Sequence, residues 1–140
     1  MPVVIQRPDH FTIVTDRLEA TRSFYVHLLG MRDGPRPPFP VPGLWLYVHD
    51  HPVLHVVEVN QMPTPRRGAL DHMAYWAEGL NDTIARLRAH GLHLRLIRAP
   101  GANRTWQLFF NDPNGVEVEL DFAETETPPE DWKTLSSPLR

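Results

Sequence analysis

The chain contains no cysteine, which excludes disulfides, thiolate metal sites and a cysteine nucleophile. No apolar run approaches the roughly 20 residues a membrane-spanning helix needs. No positively charged start leads into an apolar segment either, so a membrane or secreted protein is not expected and the expected location is the cytoplasm. Basic clusters are equally scarce. The formal net charge is -3 and no Lys/Arg run exceeds Arg66-Arg67, so nucleic acid is not an expected partner. What is plentiful is histidine and proline, eight and fifteen residues. Imidazole without thiol suits ions bound through nitrogen and oxygen, such as Zn, Ni, Fe or Mn. With 140 residues, the chain makes one ordinary domain or two small units that share a core.

Apolar periodicity predicts a strand over 10–14 and a helix over about 17–29, closed by Gly30. The stretch "DGPRPPFPVPG", 33–43, is kept out of helix and sheet interiors by its prolines. Strands are expected at 44–49 and 53–59 around a turn at Asp50, His51 and Pro52, followed by a linker, "NQMPTPRRG". The order then starts again: strand 70–77, helix from Leu80 to about His90 with Asn81 or Asp82 near its start, and strands 92–97, 104–110 and 116–122. Shifting one half by 62 residues superposes Asp9 on Asp71, His10 on His72, Leu18 on Leu80, Thr21 on Thr83 and Asp50 on Asp112. The chain therefore reads as two copies of a βαβββ unit, over 1–62 and 63–123. A polar, proline-containing arm follows over 124–140, with Trp132 as its docking point.

Alternation in the last strand puts Val116, Val118, Leu120 and Phe122 on one face and Glu117, Glu119 and Asp121 on the other. Three carboxylates on one dry face would repel, so some need water, a cation or basic partners. A divalent ion shared with His10 and His72 would neutralise one of them. It would also explain two imidazoles at equivalent places in apolar strands. A lone strand histidine is more often structural; the repeat is what favours the ligand reading. Asp9 and Asp71, each preceding its histidine, are expected to point to the opposite face.

"DHFTIVTDRLEATRSFYVHLLGMR" resembles the opening module of the vicinal oxygen chelate superfamily, which includes glyoxalase I, fosfomycin-resistance transferases, bleomycin-resistance proteins and extradiol dioxygenases. "WQLFFNDPNGVEVEL" is similar to that superfamily's closing hairpin. The turn logic is visible without the family: Pro113 sets φ, and Asn114 and Gly115 tolerate positive φ.

The resemblance covers residues 8–123 and implies an α+β fold. Two βαβββ modules would form a curved, partly open, barrel-like mixed sheet with helices outside. Carried over by motif, the metal ligands are His10, His72 and Glu119. The fourth familiar position falls on His55, where glyoxalase I commonly has a glutamate. A two-residue longer turn in the second module would set His55 opposite Glu119, and His55 and Glu119 are the candidate catalytic residues. Trp45, Tyr47, Arg104 and Gln107 are candidates for substrate binding, although strand aromatics are mostly packing. His27, His49, His51, His90 and His93 read as surface or loop residues.

The resemblance thus implies a metal-dependent enzyme, using Fe(II), Mn, Zn or Ni, that chelates a small molecule through neighbouring oxygens. Without a clear second carboxylate in module one, the ligand set leans toward extradiol dioxygenase chemistry. Glyoxalase- or epimerase-type proton transfer and a metal-free ligand-binding cage are the alternatives. A homodimer is implied.

Overall fold

The computed structural model describes residues 1–135, and residues 136–140 of the expected arm lie outside the described residues. Two compact units divide at Pro63/Thr64. Each carries one four-stranded mixed sheet and one principal helical segment in the order βαβββ, an α+β arrangement.

In the first unit β1 (Phe11–Thr15) runs parallel to β4 (His51–Glu58), which pairs antiparallel with β3 (Gly43–Val48), and β3 with β2 (Arg32–Gly34). Strand β2 falls in a stretch expected to be irregular. It ends before the first proline of the run and occupies the sheet edge, so only residues 35–42 remain irregular. His51 and Pro52 open β4 instead of forming the turn. Pro52 lies beyond Leu54, the first residue paired with β1, and opposite Tyr47, where the register with β3 slips. Its missing N–H therefore interrupts no regular ladder. The helix α1 (Leu18–Arg22) continues into a wider turn, Ser23–Leu28, with a bond from Leu29 N–H to Phe24 O at 3.1 Å. Alternation buries Ile13, Leu44, Leu46, Leu54 and Val56 on one face. Thr12, Trp45, Tyr47, His55 and Val57, on the other, are only half-buried or exposed.

The second unit repeats this order with β5 (Met73–Trp76), α2 (Leu80–Ala89), β6 (Arg95–Arg98), β7 (Trp106–Asn111) and β8 (Glu117–Phe122), in sheet order β5-β8-β7-β6. Leu80, Ile84 and Leu87 form the buried stripe of α2, and Leu96, Leu108, Val118 and Phe122 the buried apolar face of the sheet. Among the described residues no helix is long and apolar enough to cross a membrane.

Neither Asn81 nor Asp82 caps α2; both lie inside it. Gly79, at φ 85°, is the N-cap residue, and Glu126 Oε1 accepts from Gly79 N–H at 2.9 Å and Leu80 N–H at 2.7 Å. A carboxylate 46 residues away thus satisfies donors that local side chains leave open and complements the positive helix end. Replacing Glu126 with alanine is expected to cost about 1 kcal/mol, read as a lower midpoint in urea denaturation. The arm is further held by the Trp132 ring, packed edge-on against Trp106 at 5.1 Å, and by Trp106 Nε1–H donating to Glu126 O at 3.0 Å.

In the β7–β8 turn, Asp112 Oδ1 accepts from Asn114 N–H at 2.7 Å and Val116 N–H at 2.9 Å. Of the two residues expected to take positive φ, only Gly115 does, at 84°. Asn114 is instead buried against Asp112.

Candidate functional site

Strand registers relate the two units residue by residue. Phe11 and Met73, at the same step of the repeat, pair with Leu54 and Val118, so the shift of 62 on the opening strands becomes 64 on the closing ones. Thr12, His55 and Trp45 form a row across the first sheet; Ala74, Glu119 and Phe109 form the same row across the second. His55 therefore occupies the position of Glu119. Trp45 corresponds to Phe109, whereas a uniform shift of 62 would pair it with Gln107, another of the substrate-binding candidates.

In the second unit His72 precedes β5 and lies between two carboxylates. Its Nδ1 is 2.7 Å from Asp71 Oδ2 and its Nε2 is 2.7 Å from Glu119 Oε2. Asp71 was expected on the opposite face. Both residues lie just before the strand, where the alternation that would separate their side chains does not apply. Glu119 is 4% exposed, and its Oε1 accepts from Gln107 Nε2 at 2.8 Å. The Phe109 ring stands edge-on to His72 at 5.7 Å.

Two of the three carboxylates on β8 are compensated by named partners. Glu117 pairs with Arg67 at 2.6 Å and Arg95 at 3.3 Å, and Arg67 also reaches Asp71 at 2.7 Å. Asp71, His72 and Glu117 lie close enough together to suggest a cation site, but the Arg67 guanidinium already bridges its two carboxylates. Burial, reinforced by a hydrogen bond with Glu119, pushes the Asp121 carboxyl up to about 7. Glu117 is thus met by arginines and Glu119 by an imidazole with an amide, while Asp121 keeps a buried Oδ1 without a hydrogen-bond partner.

In the first unit His10 repeats half of this pattern: Nδ1 is 2.6 Å from Asp9 Oδ2. His51 Nε2 is 2.7 Å from Asp9 O and 3.3 Å from its Oδ1. His51, expected to be a loop residue, therefore buttresses this Asp–His pair from the start of β4. The hydrogen bond with His10 is the main influence holding the Asp9 carboxyl below its usual range. His55 is sandwiched, its ring 3.7 Å from His10 and 4.1 Å from Trp45, nearly parallel to both. Burial and then the neighbouring His10 lower its pKa, and its Nε2 is buried without a hydrogen-bond partner. With ring planes only 12° apart, the in-plane lone pairs of His10 and His55 run side by side and do not converge, so in this stack His55 supports His10.

Of the remaining candidates, Tyr47 shares a face with Trp45, but its hydroxyl donates to Pro35 O at 2.5 Å and so anchors the proline loop. Arg104 is exposed before β7, at φ 29°.

Residues 7–120 match the family model described as the Glyoxalase/Bleomycin resistance protein/Dioxygenase superfamily. The chain belongs to that superfamily. A curated relative, Glyoxylase I 4 of Arabidopsis thaliana, is 22% identical over 125 residues, covering 85% of this chain and 72% of the relative. Among solved structures, a Bacillus anthracis protein assigned to the glyoxalase family aligns with TM-score 0.72 at 20% identity, over 88% of this chain and 99% of that one. TnmS3, an antibiotic-binding protein from Streptomyces sp. CB03234, aligns with TM-score 0.65 at 21% identity, over 87% and 99%. These structural likenesses establish the fold.

Members of this superfamily commonly bind a divalent metal, and the second unit offers a direct test of fit. Each ring nitrogen of His72 faces one carboxylate oxygen, Nδ1 that of Asp71 and Nε2 that of Glu119. An ion on Nε2 would leave the Asp71 bond intact, the familiar arrangement in which a carboxylate orients a ligating imidazole. Two ligand atoms about 2.1 Å from one ion at a right angle lie about 3.0 Å apart, so the 2.7 Å contact between His72 and Glu119 needs to open only slightly. The donor set, imidazole nitrogen and carboxylate oxygen, suits a first-row ion.

Proposed function

We propose that the protein is a metal-dependent enzyme acting on a small molecule with two neighbouring oxygens, with His10, His72 and Glu119 as the metal ligands. The observation that carries this reading is His72 held between Asp71 and Glu119, both nitrogens engaged at 2.7 Å. The Asp9–His10 pair repeats the orienting half of that arrangement at 2.6 Å. When bound, a divalent ion with two nitrogen and one oxygen ligands supplies Lewis acidity to chelating substrate oxygens and keeps positions open for them.

The chain's own residues do the positioning. Asp71 fixes the His72 tautomer by accepting from Nδ1, and Arg67 holds Asp71 from behind. Gln107 donates to one Glu119 oxygen and leaves the other turned to His72. His55, stacked on His10, limits rotation of that ring. The finer reading leans to extradiol dioxygenase chemistry, because the residue matching Glu119 in the first unit is a histidine and no second carboxylate stands there. A metal-free binding role is the alternative, and it gives the two Asp–His pairs no task. Homodimeric assembly in the cytoplasm, implied by the family resemblance and by the composition, completes the proposal; light scattering checks the dimer.

The test is reaction-specific. Fe(II)-loaded protein given a panel of catechols is expected to consume oxygen, while Zn- or Ni-loaded protein is not expected to exchange carbon-bound hydrogen of α-hydroxycarbonyl compounds in D2O. The reverse outcome would assign proton transfer, and neither reaction, together with absence of metal uptake, would assign binding alone. Asp71→Asn is expected to weaken metal binding by about 10- to 100-fold while the fold is retained, measured by competition with a chromophoric chelator.

A further inference from the structure

The first unit contains a cavity of about 290 Å³ that shares only His55 with the residues placed around the metal. Its floor is the half-buried face of the sheet, with Trp45, His55 and Val57, and its wall is the proline loop, with Arg36, Phe39 and Val41. The volume lies at the lower end of small-molecule sites, and the lining is mostly apolar with few polar groups, as such sites are.

Two features define what fits. The first is aromatic. Trp45 is braced by His55 at 4.1 Å, and Phe39 stands 6.4 Å from Trp45 at 45°, so the two rings form a wedge. Flat rings gain most from such walls, by stacking or edge-on contact beyond simple burial. The second is a cation. Arg36 has no carboxylate partner among the described residues; it donates from Nη2 to Val41 O at 2.7 Å and lies over Phe39 at 5.3 Å. These contacts hold the guanidinium fork at the rim while leaving its other N–H donors available, and a carboxylate is the group this fork pairs with best.

The loop carrying Arg36 and Phe39 is stiffened by its prolines and tied down by the Tyr47 hydroxyl on Pro35 O and by Glu58 N–H on Pro42 O at 2.9 Å. Little ordering is left to be done on binding. An aliphatic acid would satisfy Arg36 and leave the rings unused; a neutral aromatic would do the reverse; a cation would meet Arg36.

We propose that this cavity binds an aromatic carboxylate, its ring lying against Trp45 and Phe39 in the open side of their wedge and its carboxylate on Arg36. The inference rests on the proposed function only in treating that ligand as the substrate or its non-reacting part. Binding itself is independent of metal, so the two readings can fail separately.

The experiment is calorimetric titration of the full-length, metal-stripped protein, kept in chelator, with 1-naphthoate, 1-naphthalenemethanol and octanoate. Naphthoate is expected to bind at least about tenfold more tightly than either comparison compound. Arg36→Gln, a change at a half-buried loop residue, is expected to remove that advantage over naphthalenemethanol. Phe39→Leu, also on the loop, is expected to weaken naphthoate and naphthalenemethanol together and leave octanoate unchanged. Thermal melts confirm that both variants fold. No saturable naphthoate binding up to millimolar concentration overturns the proposal. So does naphthoate affinity unchanged in Arg36→Gln, or octanoate binding as tightly as naphthoate.

Discussion

Glu119→Gln is expected to lower metal affinity by more than about 100-fold, beyond the 10- to 100-fold typical of a residue that only orients a ligand. The change removes the charge and replaces one carboxylate oxygen by an amide NH2, leaving a neutral and weaker oxygen donor, at a residue that is 4% exposed and touches both His72 and Gln107. Water has little room to substitute there. Glutamine keeps the volume, so the comparison isolates the carboxylate, and elemental analysis of the purified variant beside the native protein reads the effect. A variant that retains native metal content would remove Glu119 from the ligand set.

The second large effect concerns stability. Gly43→Ala is expected to destabilise the protein by about 2–4 kcal/mol, seen as a lower urea midpoint at unchanged slope. A β-carbon at Gly43 would stand 2.3 Å from Val56 O and 3.1 Å from an Arg36 nitrogen. The arginine can swing away, but the carbonyl belongs to the neighbouring strand β4 and cannot move without breaking pairing. Gly68→Ala is the control. Nothing lies within 4 Å of its β-carbon, and the expected change is near zero. Equal losses at both positions would show that close strand approach is not the cause.

How far the sequence reaches is clearest in the Asp-His doublets. The repetition at a shift of 62 locates both opening strands, yet strand alternation, carried one residue too far, sends the aspartates to the wrong face. The repeated doublet was itself the signal that the two residues act together. A uniform shift also misaligned Trp45. The two-residue longer turn expected in the second module realigns His55 but is not extended to Trp45, and the pairing register shows that 62 becomes 64 ahead of both later strands. Alternation on β8 correctly separates Glu117, Glu119 and Asp121 from Val118, Leu120 and Phe122. It cannot say which acid meets arginine, since Arg67 and Arg95 come from other segments. The α2 cap was illegible for the same reason: Glu126 arrives from beyond the last strand, and local capping rules see only neighbours. Strand β2 is three residues long, too short for periodicity to register.

The central claim is that the His72–Glu119 pair grips a cation. Cobalt(II) titration of the metal-stripped protein, followed by its visible absorption, tests it most directly. A saturable signal at one equivalent per chain, lost in both His72→Ala and Glu119→Gln, is the predicted result. Absence of a saturable signal below millimolar cobalt, or a native signal surviving in both variants, would contradict the claim.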